Sequence, residues 1–134
     1  MEMEISFPGG KRVDARYKGF SIATDQPEAN GGEGSAPSPF DLFMASIGTC
    51  AGIYVLSFCR NRDIPTDRIR IVQTMERNAE SKMIERISIV IKLPTDFPSK
   101  YRNAVAKSAE QCTVKKHLAQ PPAFAVSVDT ADAQ

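Results

Sequence analysis

The sequence lacks the residues from which zinc sites and disulfide frameworks are built. Among its 134 residues there is no tryptophan, one histidine (His117) and only three cysteines. A structural zinc site needs about four closely spaced Cys or His ligands, and no Cys-x-x-Cys pair is present, so we expect no metal and no other cofactor. The three cysteines are more typical of free thiols in a reducing compartment than of a disulfide-stapled secreted domain.

The sequence also has no excess of charge of either sign. It contains 17 Lys and Arg residues against 16 Asp and Glu residues, for a net charge of +1. This balance predicts no basic surface for nucleic acid or for an anionic membrane, so we expect neither as a partner. The acidic start, residues 1–4, differs from a secretory signal, which needs a basic start followed by an apolar run, and we expect a cytoplasmic protein.

A long, purely apolar run is absent as well. Residues 40–58 come closest, but small or polar residues interrupt them: Asp41, Ser46, Gly48, Thr49, Gly52 and Ser57. We interpret this region as a buried central helix rather than a membrane span. Ser38 is a suitable N-cap, Pro39 suits the first helical position, and the helix should end near Asn61. Its two glycines cost about 1 kcal/mol each relative to alanine, which predicts a closely packed partner, expected to be another helix.

Short strands are predicted on both sides of this helix. Pro8-Gly9-Gly10-Lys11 separates the alternating segments 4–7 and 12–17, which is typical of a hairpin, and residues 20–23 add a third strand. Residues 25–37 then have the composition of a long loop. A loop of this length in a compact domain is often functional or mobile.

The remaining chain predicts a second hairpin, a second helix and a last strand. Residues 68–75 and 84–91 alternate apolar and polar side chains, as half-buried strands do. A helix should start at 96–98 and reach residue 111 or 112, with 113–118 either continuing it or forming a separate turn. The segment 124–128 reads as a final strand. The order β-β-β-α-β-β-α-β indicates an α+β fold in one domain that spans the 134 residues.

The cysteines are the most reactive side chains of this chain, and each has a structural alternative. Cys50 lies mid-helix between Gly48 and Gly52, where small neighbours leave room for a substrate, although a free cysteine is often only a small core residue. Cys59 lies nine positions further on, half a turn away and roughly 13 Å distant, so it cannot bond to Cys50 in an intact helix and we expect it to be structural. Cys112 would lie near a positive helix terminus if a short helix began after it, which would lower the pKa of its thiol.

Two motifs resemble those of the OsmC/Ohr superfamily of osmotically induced and organic hydroperoxide resistance proteins. Residues 36–50, Ala-Pro-Ser-Pro-Phe-Asp-Leu-Phe-Met-Ala-Ser-Ile-Gly-Thr-Cys, resemble its first motif, which leads to a cysteine on a central helix. Residues 108–114, Ser-Ala-Glu-Gln-Cys-Thr-Val, resemble its second cysteine motif. The Gly31-Gly32 pair and the predicted order of elements fit as well. The resemblance thus covers nearly the whole chain.

The resemblance implies an intertwined homodimer, with antiparallel sheets packed around long central helices and active sites at the subunit interface. It also implies a thiol-dependent peroxidase that acts on organic hydroperoxides. Cys50 would attack the peroxide and become a sulfenic acid, and Cys112 would resolve that acid as a disulfide for a dithiol reductant to reopen.

The chain departs from the peroxidase branches at one position. Those branches have a glutamate directly after the motif proline, which holds an arginine that activates the first cysteine, and this chain has Phe40 there. Arg12 is the nearest candidate arginine, with Lys11 and Arg16 as alternatives, and Glu33 in the long loop could supply the carboxylate. Each of these residues also has the reading of an ordinary exposed charge. The pattern is closer to the OsmC-related branch, whose substrates are poorly defined.

Two other functions therefore compete with the peroxidase. One is a redox sensor or disulfide-exchange protein that keeps the cysteine pair without a tuned peroxide pocket, which Phe40 favours. The other is a small-molecule binding module with inert cysteines. Under each reading, apolar side chains around the slim helix, namely Phe40, Phe43, Met44, Ile47 and Tyr54, would line an acyl-sized pocket.

Overall fold

The computed structural model describes residues 1–130, which contain five strands and three α-helices. By residue range they are β1 (Glu4–Gly9), β2 (Arg12–Tyr17), β3 (Phe20–Thr24), α1 (Pro39–Arg60), β4 (Arg70–Arg77), β5 (Ile84–Lys92), α2 (Arg102–Ala109) and α3 (Thr113–Ala119). Both sheets are antiparallel, which confirms the α+β class. The chain divides into two compact units, residues 1–49 with 70–92, and residues 50–69 with those from 93 onward, so α1 contributes to both.

The first unit begins with a three-stranded sheet in the order β1-β2-β3. The predicted turn at Gly9 and Gly10 is present, and both glycines have positive φ, of 143° and 58°. Lys18 and Gly19 turn the chain between β2 and β3, also with positive φ, as the tight turns that match strand twist require. The pairing of Ile5 with Ala15 and of Ala15 with Ile22 fixes the register.

The long loop after β3 is held by a buried carboxylate. Asp25 is 1% exposed and accepts hydrogen bonds from the backbone N–H of Gln26 at 2.7 Å and from the N–H and hydroxyl of Ser35 at 3.0 and 2.6 Å. These bonds, that of the Ser35 hydroxyl first, lower the pKa of Asp25 to about 2. Within this loop a Cβ on Gly32 would lie 2.0 Å from the carbonyl oxygen of Gln26, so no larger residue fits. The loop is therefore ordered by its own polar groups.

Helix α1 begins at the predicted residue and ends within one residue of the predicted end. The Ser38 hydroxyl accepts the N–H of Asp41 at 3.2 Å, and the Asp41 carboxylate accepts the N–H of Ser38 at 3.1 Å, which forms a capping box. The buried residues form one stripe at spacings of three and four: Met44, Ile47, Ala51, Val55 and Cys59. By length and composition α1 is apolar enough to cross a membrane. Of its most apolar 18-residue stretch, 28% is buried within this chain.

The hairpin β4–β5 completes the first unit. Val72 pairs with Val90, and the strands stay in register until an irregularity beside Arg77. Strand β4 starts two residues later than predicted, because the N–H of Ile69 bonds to the carbonyl of Thr66 in a turn. Gln73 of β4 lies over Gly48 of α1, and its amide donates to the carbonyl of Met44 at 2.9 Å. The close partner of Gly48 is thus a strand side chain, not the second helix that its sequence position predicted.

The second unit differs from the sequence prediction in two places. The predicted second helix is divided: a single turn of 3₁₀ helix leads into α2, which ends at Ala109, and α3 starts separately at Thr113. The predicted strand 124–128 has no regular secondary structure, and its alternate residues Phe124, Val126 and Val128 are 87–96% exposed. A strand needs a neighbouring strand for its N–H and C=O groups, and the described residues offer this segment no paired edge.

Candidate functional site

The candidate site lies in the second unit, where α1 presents Cys50 and the start of α3 presents Cys112. Cys50 occupies the middle of α1 and is half-buried. The Thr49 hydroxyl beside it donates back to the carbonyl of Ala45 at 2.8 Å, the local bond expected of a threonine within a helix. Cys50 is a free thiol and is not enclosed in the core. It is therefore the accessible cysteine of its helix.

Cys112 is the N-cap of α3. Its backbone is extended (φ −50°, ψ 122°), and its sulfur accepts the N–H of Lys115 at 3.3 Å. Of the two sequence possibilities for residues 113–118, the separate helix is the one that forms. Cys112 is 2% exposed, so it is buried at the point where α3 starts.

The thiol of Cys50 faces the first turn of α3. The backbone N–H of Val114, the thiol of Cys112, and the N–H and hydroxyl of Thr113 are the groups that lower the pKa of the Cys50 thiol. The Val114 bond contributes most to lowering the pKa of Cys50, while partial burial opposes the effect. N–H groups in the first helical turn have no intrahelical acceptor, so they are available to stabilise a thiolate. The sequence predicted a helix terminus near Cys112, and the structure directs that terminus at Cys50.

One further side chain bonds to this turn from α1. Tyr54 lies four residues after Cys50, on the same face of α1, and its hydroxyl is 3.1 Å from the hydroxyl of Thr113. From the sequence, Tyr54 was expected only to line the apolar pocket around α1. Its spacing from Cys50 and the position of Thr113 next to Cys112 were the signals that it could contribute to the site.

Cys59 has the opposite surroundings. It is 0% exposed, and burial raises the pKa of its thiol. Because it lies half a turn away from Cys50 on α1, the helix directs the two thiols to opposite sides. The structural role of Cys59 stays a prediction, and its burial makes Cys59 a matched control for Cys50 and Cys112.

The predicted pair of Arg12 and Glu33 is not formed in the first unit. In the part of the chain that the structure describes, the ion pair of Arg12 is with Asp14, at 3.9 Å, and its side chain is exposed. The Glu33 side chain is also exposed, and its backbone N–H contributes to lowering the pKa of Asp25. The activating roles of these two residues stay predictions.

The predicted apolar pocket is present in part. A groove of about 710 Å³ in the first unit has walls from α1, β4 and β5, among them Phe40, Met44, Gly48, Ile71 and Met75. Phe40 and Phe43 are both exposed, with ring centroids 5.9 Å apart. Phe43 and Ile47 do not line this groove, since Phe43 faces solvent beside Phe40 and Ile47 belongs to the buried stripe of α1.

A scan against protein-family models identifies the family. The model described as "OsmC-like protein" matches residues 32–127 of this chain, which include both cysteine motifs. The chain belongs to the OsmC-like family. A search of the curated proteins finds no match for it.

Solved structures have the same fold as this OsmC-like protein at low sequence identity. A candidate osmotic stress induced and detoxification response protein from Psychrobacter arcticus has a TM-score of 0.72 and 24% identity, with 85% of each chain covered. An OsmC-like protein from Mycoplasma pneumoniae has a TM-score of 0.68 and 10% identity, covering 90% of this chain and 87% of that one. An organic hydroperoxide resistance protein OsmC from Legionella pneumophila has a TM-score of 0.54 and 17% identity, with 87% of each chain covered.

Proposed function

We propose that this OsmC-like protein is a thiol-dependent peroxidase that reduces organic hydroperoxides through a disulfide between Cys50 and Cys112. One observation carries the proposal: the first turn of α3 and the Cys112 thiol that caps it both approach the Cys50 thiol and lower its pKa. The first contact favours the thiolate, which is the nucleophile. The second would let Cys112 act as the resolving thiol for the sulfur that peroxide oxidises.

The proposed reduction of a hydroperoxide has three steps. The Cys50 thiolate attacks the outer oxygen of ROOH, the O–O bond breaks, and the products are the sulfenic acid of Cys50 and an alkoxide, which takes a proton to give ROH. The Cys112 thiol then attacks the sulfenic sulfur, which forms the disulfide and releases water. A dithiol reduces the disulfide, returns both thiols and is itself oxidised to a disulfide.

The organic substrate class is supported by the walls of the groove in the first unit, and not by the likeness to a structural neighbour. The Legionella pneumophila relative is described as an organic hydroperoxide resistance protein, although at 17% identity that likeness carries the fold and not the substrate. In this chain, Phe40 and its neighbours give the groove beside α1 predominantly apolar walls. An apolar wall suits an alkyl or aryl hydroperoxide better than hydrogen peroxide.

A redox sensor or disulfide-exchange protein is the second candidate function, and Phe40 is the observation that favours it. The resemblance predicted a carboxylate at that position to orient an activating arginine, and Arg12 bonds to Asp14 instead. A sensor needs the Cys50–Cys112 pair but not rapid turnover. The two functions therefore differ in rate and in stoichiometry, not in the disulfide that they form.

Turnover of cumene hydroperoxide with dithiothreitol distinguishes these functions. We expect the wild-type protein to consume many equivalents of peroxide, and Cys50→Ser to reduce consumption to the rate without protein. Cys112→Ser should allow one oxidation without dithiol, after which excess peroxide adds a second oxygen to Cys50. Peroxide loss is followed by a ferric–xylenol orange assay, and the oxidised peptides by mass spectrometry.

Cys59→Ser is the matched control, because it removes a thiol from the same helix at a buried position on the opposite side. It should retain the wild-type rate. A large loss of turnover in Cys59→Ser would contradict the assignment of the reactive pair. Reduction of one equivalent of peroxide, with no further turnover, would favour the sensor.

We further propose a cytoplasmic homodimer as the functional form. In a single chain, α1 leaves Phe40, Phe43 and Ile53 exposed, and the apolar residues of segment 124–128 are exposed as well. Apolar surface of this extent in a soluble protein is usually covered by a partner. A second copy of the chain is the occupant that the family resemblance implies.

A further inference from the structure

We propose that Tyr54 is a positioning residue, which acts on Cys50 through an oriented pair of hydrogen bonds that runs from the Tyr54 hydroxyl to the Thr113 hydroxyl to the Cys50 sulfur. The inference rests on the proposed role of Cys50 as the reactive thiol. It adds to that role a residue that lies outside both cysteine motifs. Its basis is the 3.1 Å contact between the two hydroxyl oxygens, together with the position of Thr113 as the first residue of α3, in the turn that approaches Cys50.

The orientation of the pair follows from counting hydrogen atoms. A threonine hydroxyl carries one hydrogen and can donate one bond. A thiolate at Cys50 can only accept, so when Thr113 donates to it, no hydrogen is left for Tyr54. The Tyr54 hydroxyl must then donate to the oxygen of Thr113. An accepted bond polarises the Thr113 hydroxyl and strengthens the bond that it donates to the sulfur.

Tyr54 also holds the two elements of the site together. It is on α1, one helical turn beyond Cys50, and Thr113 is the first residue of α3. The Tyr54–Thr113 bond therefore links the helix that carries the nucleophile with the turn that supplies its N–H donors. Loss of this bond would let the first turn of α3 move away from Cys50, and both effects act in the same direction on the thiolate.

The test measures how the alkylation of Cys50 depends on pH, because iodoacetamide reacts with the thiolate and needs no peroxide. Tyr54→Phe removes one oxygen and keeps the ring, so it should preserve packing. We expect its midpoint for alkylation of Cys50 to lie above that of the wild type and its rate near neutral pH to fall several-fold. At a pH where Cys50 is fully ionised in both proteins, the two rates should converge. An unchanged circular dichroism spectrum of Tyr54→Phe separates this effect from a general loss of structure.

A double-substitution cycle decides whether Tyr54 acts through Thr113. Thr113→Val removes the hydroxyl and keeps the shape of the side chain, and Thr113→Ser keeps the hydroxyl as the conservative rescue. We expect Tyr54→Phe to have no additional effect in the Thr113→Val protein, and its full effect in the Thr113→Ser protein. Tyr101→Phe, which removes a hydroxyl at another half-buried tyrosine of the same unit, should leave the midpoint unchanged.

The proposal is overturned if Tyr54→Phe leaves the midpoint unchanged, or if its shift persists undiminished in the Thr113→Val background. Peroxide turnover of the same variants separates this outcome from a failure of the proposed function. If the wild-type protein shows no turnover but its alkylation midpoint depends on Tyr54, the proposed peroxidase activity is wrong and the proposed role of Tyr54 stands. If turnover is normal and neither turnover nor the midpoint depends on Tyr54, the peroxidase activity stands and the role of Tyr54 is wrong.

Discussion

At the scale of the residue, the reactivity of a cysteine in this chain depends on its neighbours beyond its own helix. Cys50 and Cys59 share α1, yet hydrogen bonds from the first turn of α3 lower the pKa of Cys50, and burial raises that of Cys59. Sequence spacing correctly separated the two thiols onto opposite sides of the helix. It could not bring Thr113 and Val114 to Cys50, because those contacts depend on the tertiary fold.

Val114 provides a direct test of the main donor. Val114→Pro removes the N–H that contributes most to the lowered pKa of Cys50, at a position in the first helical turn where proline needs no intrahelical bond. We expect the pKa of Cys50 to rise, so that the alkylation rate at neutral pH falls while the rate at high pH is retained. One lost hydrogen bond of about 1 kcal/mol corresponds to somewhat less than one pH unit.

Val114→Ala is the control, since it shortens the side chain and keeps the N–H. Its alkylation profile should match the wild type. Equal profiles for Val114→Pro and Val114→Ala would contradict the role of this backbone donor, provided that circular dichroism shows both proteins folded.

At the scale of the element, hairpins and the central helix could be predicted because their signals are local. Glycine turns delimit β1 to β3, and the Ser38–Asp41 capping box starts α1. The close partner of Gly48 could not be predicted, because Gln73 is distant in sequence. The break before α3 was open in the sequence, since a capping cysteine is a weak helix signal. The prediction of a strand at 124–128 was wrong, because alternating apolar residues do not by themselves provide a neighbouring strand to pair with.

Two glycines of the first unit should respond very differently to alanine. In Gly32→Ala the new Cβ would lie 2.0 Å from a backbone oxygen of the loop, so the backbone itself must move. In Gly48→Ala the Cβ would lie 2.6 Å from the end of the flexible Gln73 side chain, which can move at the loss of its bond to Met44. Because alanine has the higher helix propensity, Gly48→Ala stabilises α1 by about 1 kcal/mol, which offsets the loss of the hydrogen bond from Gln73 to Met44.

We therefore expect Gly48→Ala to change the free energy of unfolding by less than about 1 kcal/mol, and Gly32→Ala to lower it by several times that amount. Urea denaturation monitored by circular dichroism measures both. Comparable losses for the two variants would show that the loop accommodates a side chain, in conflict with the packing described for Gly32.

At the scale of the whole molecule, the apolar surface that one chain leaves uncovered predicts self-association. Light scattering at micromolar concentration should give twice the mass of one chain, and the thermal midpoint should rise with protein concentration. A monomer whose midpoint is independent of concentration would contradict the proposed homodimer. It would leave the exposed side of α1 without its expected partner.

Oxidation by one equivalent of peroxide tests whether Cys50 and Cys112 form the working redox pair. Reduced protein is mixed with one equivalent of cumene hydroperoxide, free thiols are blocked, and the cysteine peptides are mapped by mass spectrometry. We expect one disulfide, between Cys50 and Cys112, with Cys59 blocked as a free thiol. Two free thiols at Cys50 and Cys112 after the peroxide is added, or a disulfide that includes Cys59, would contradict it.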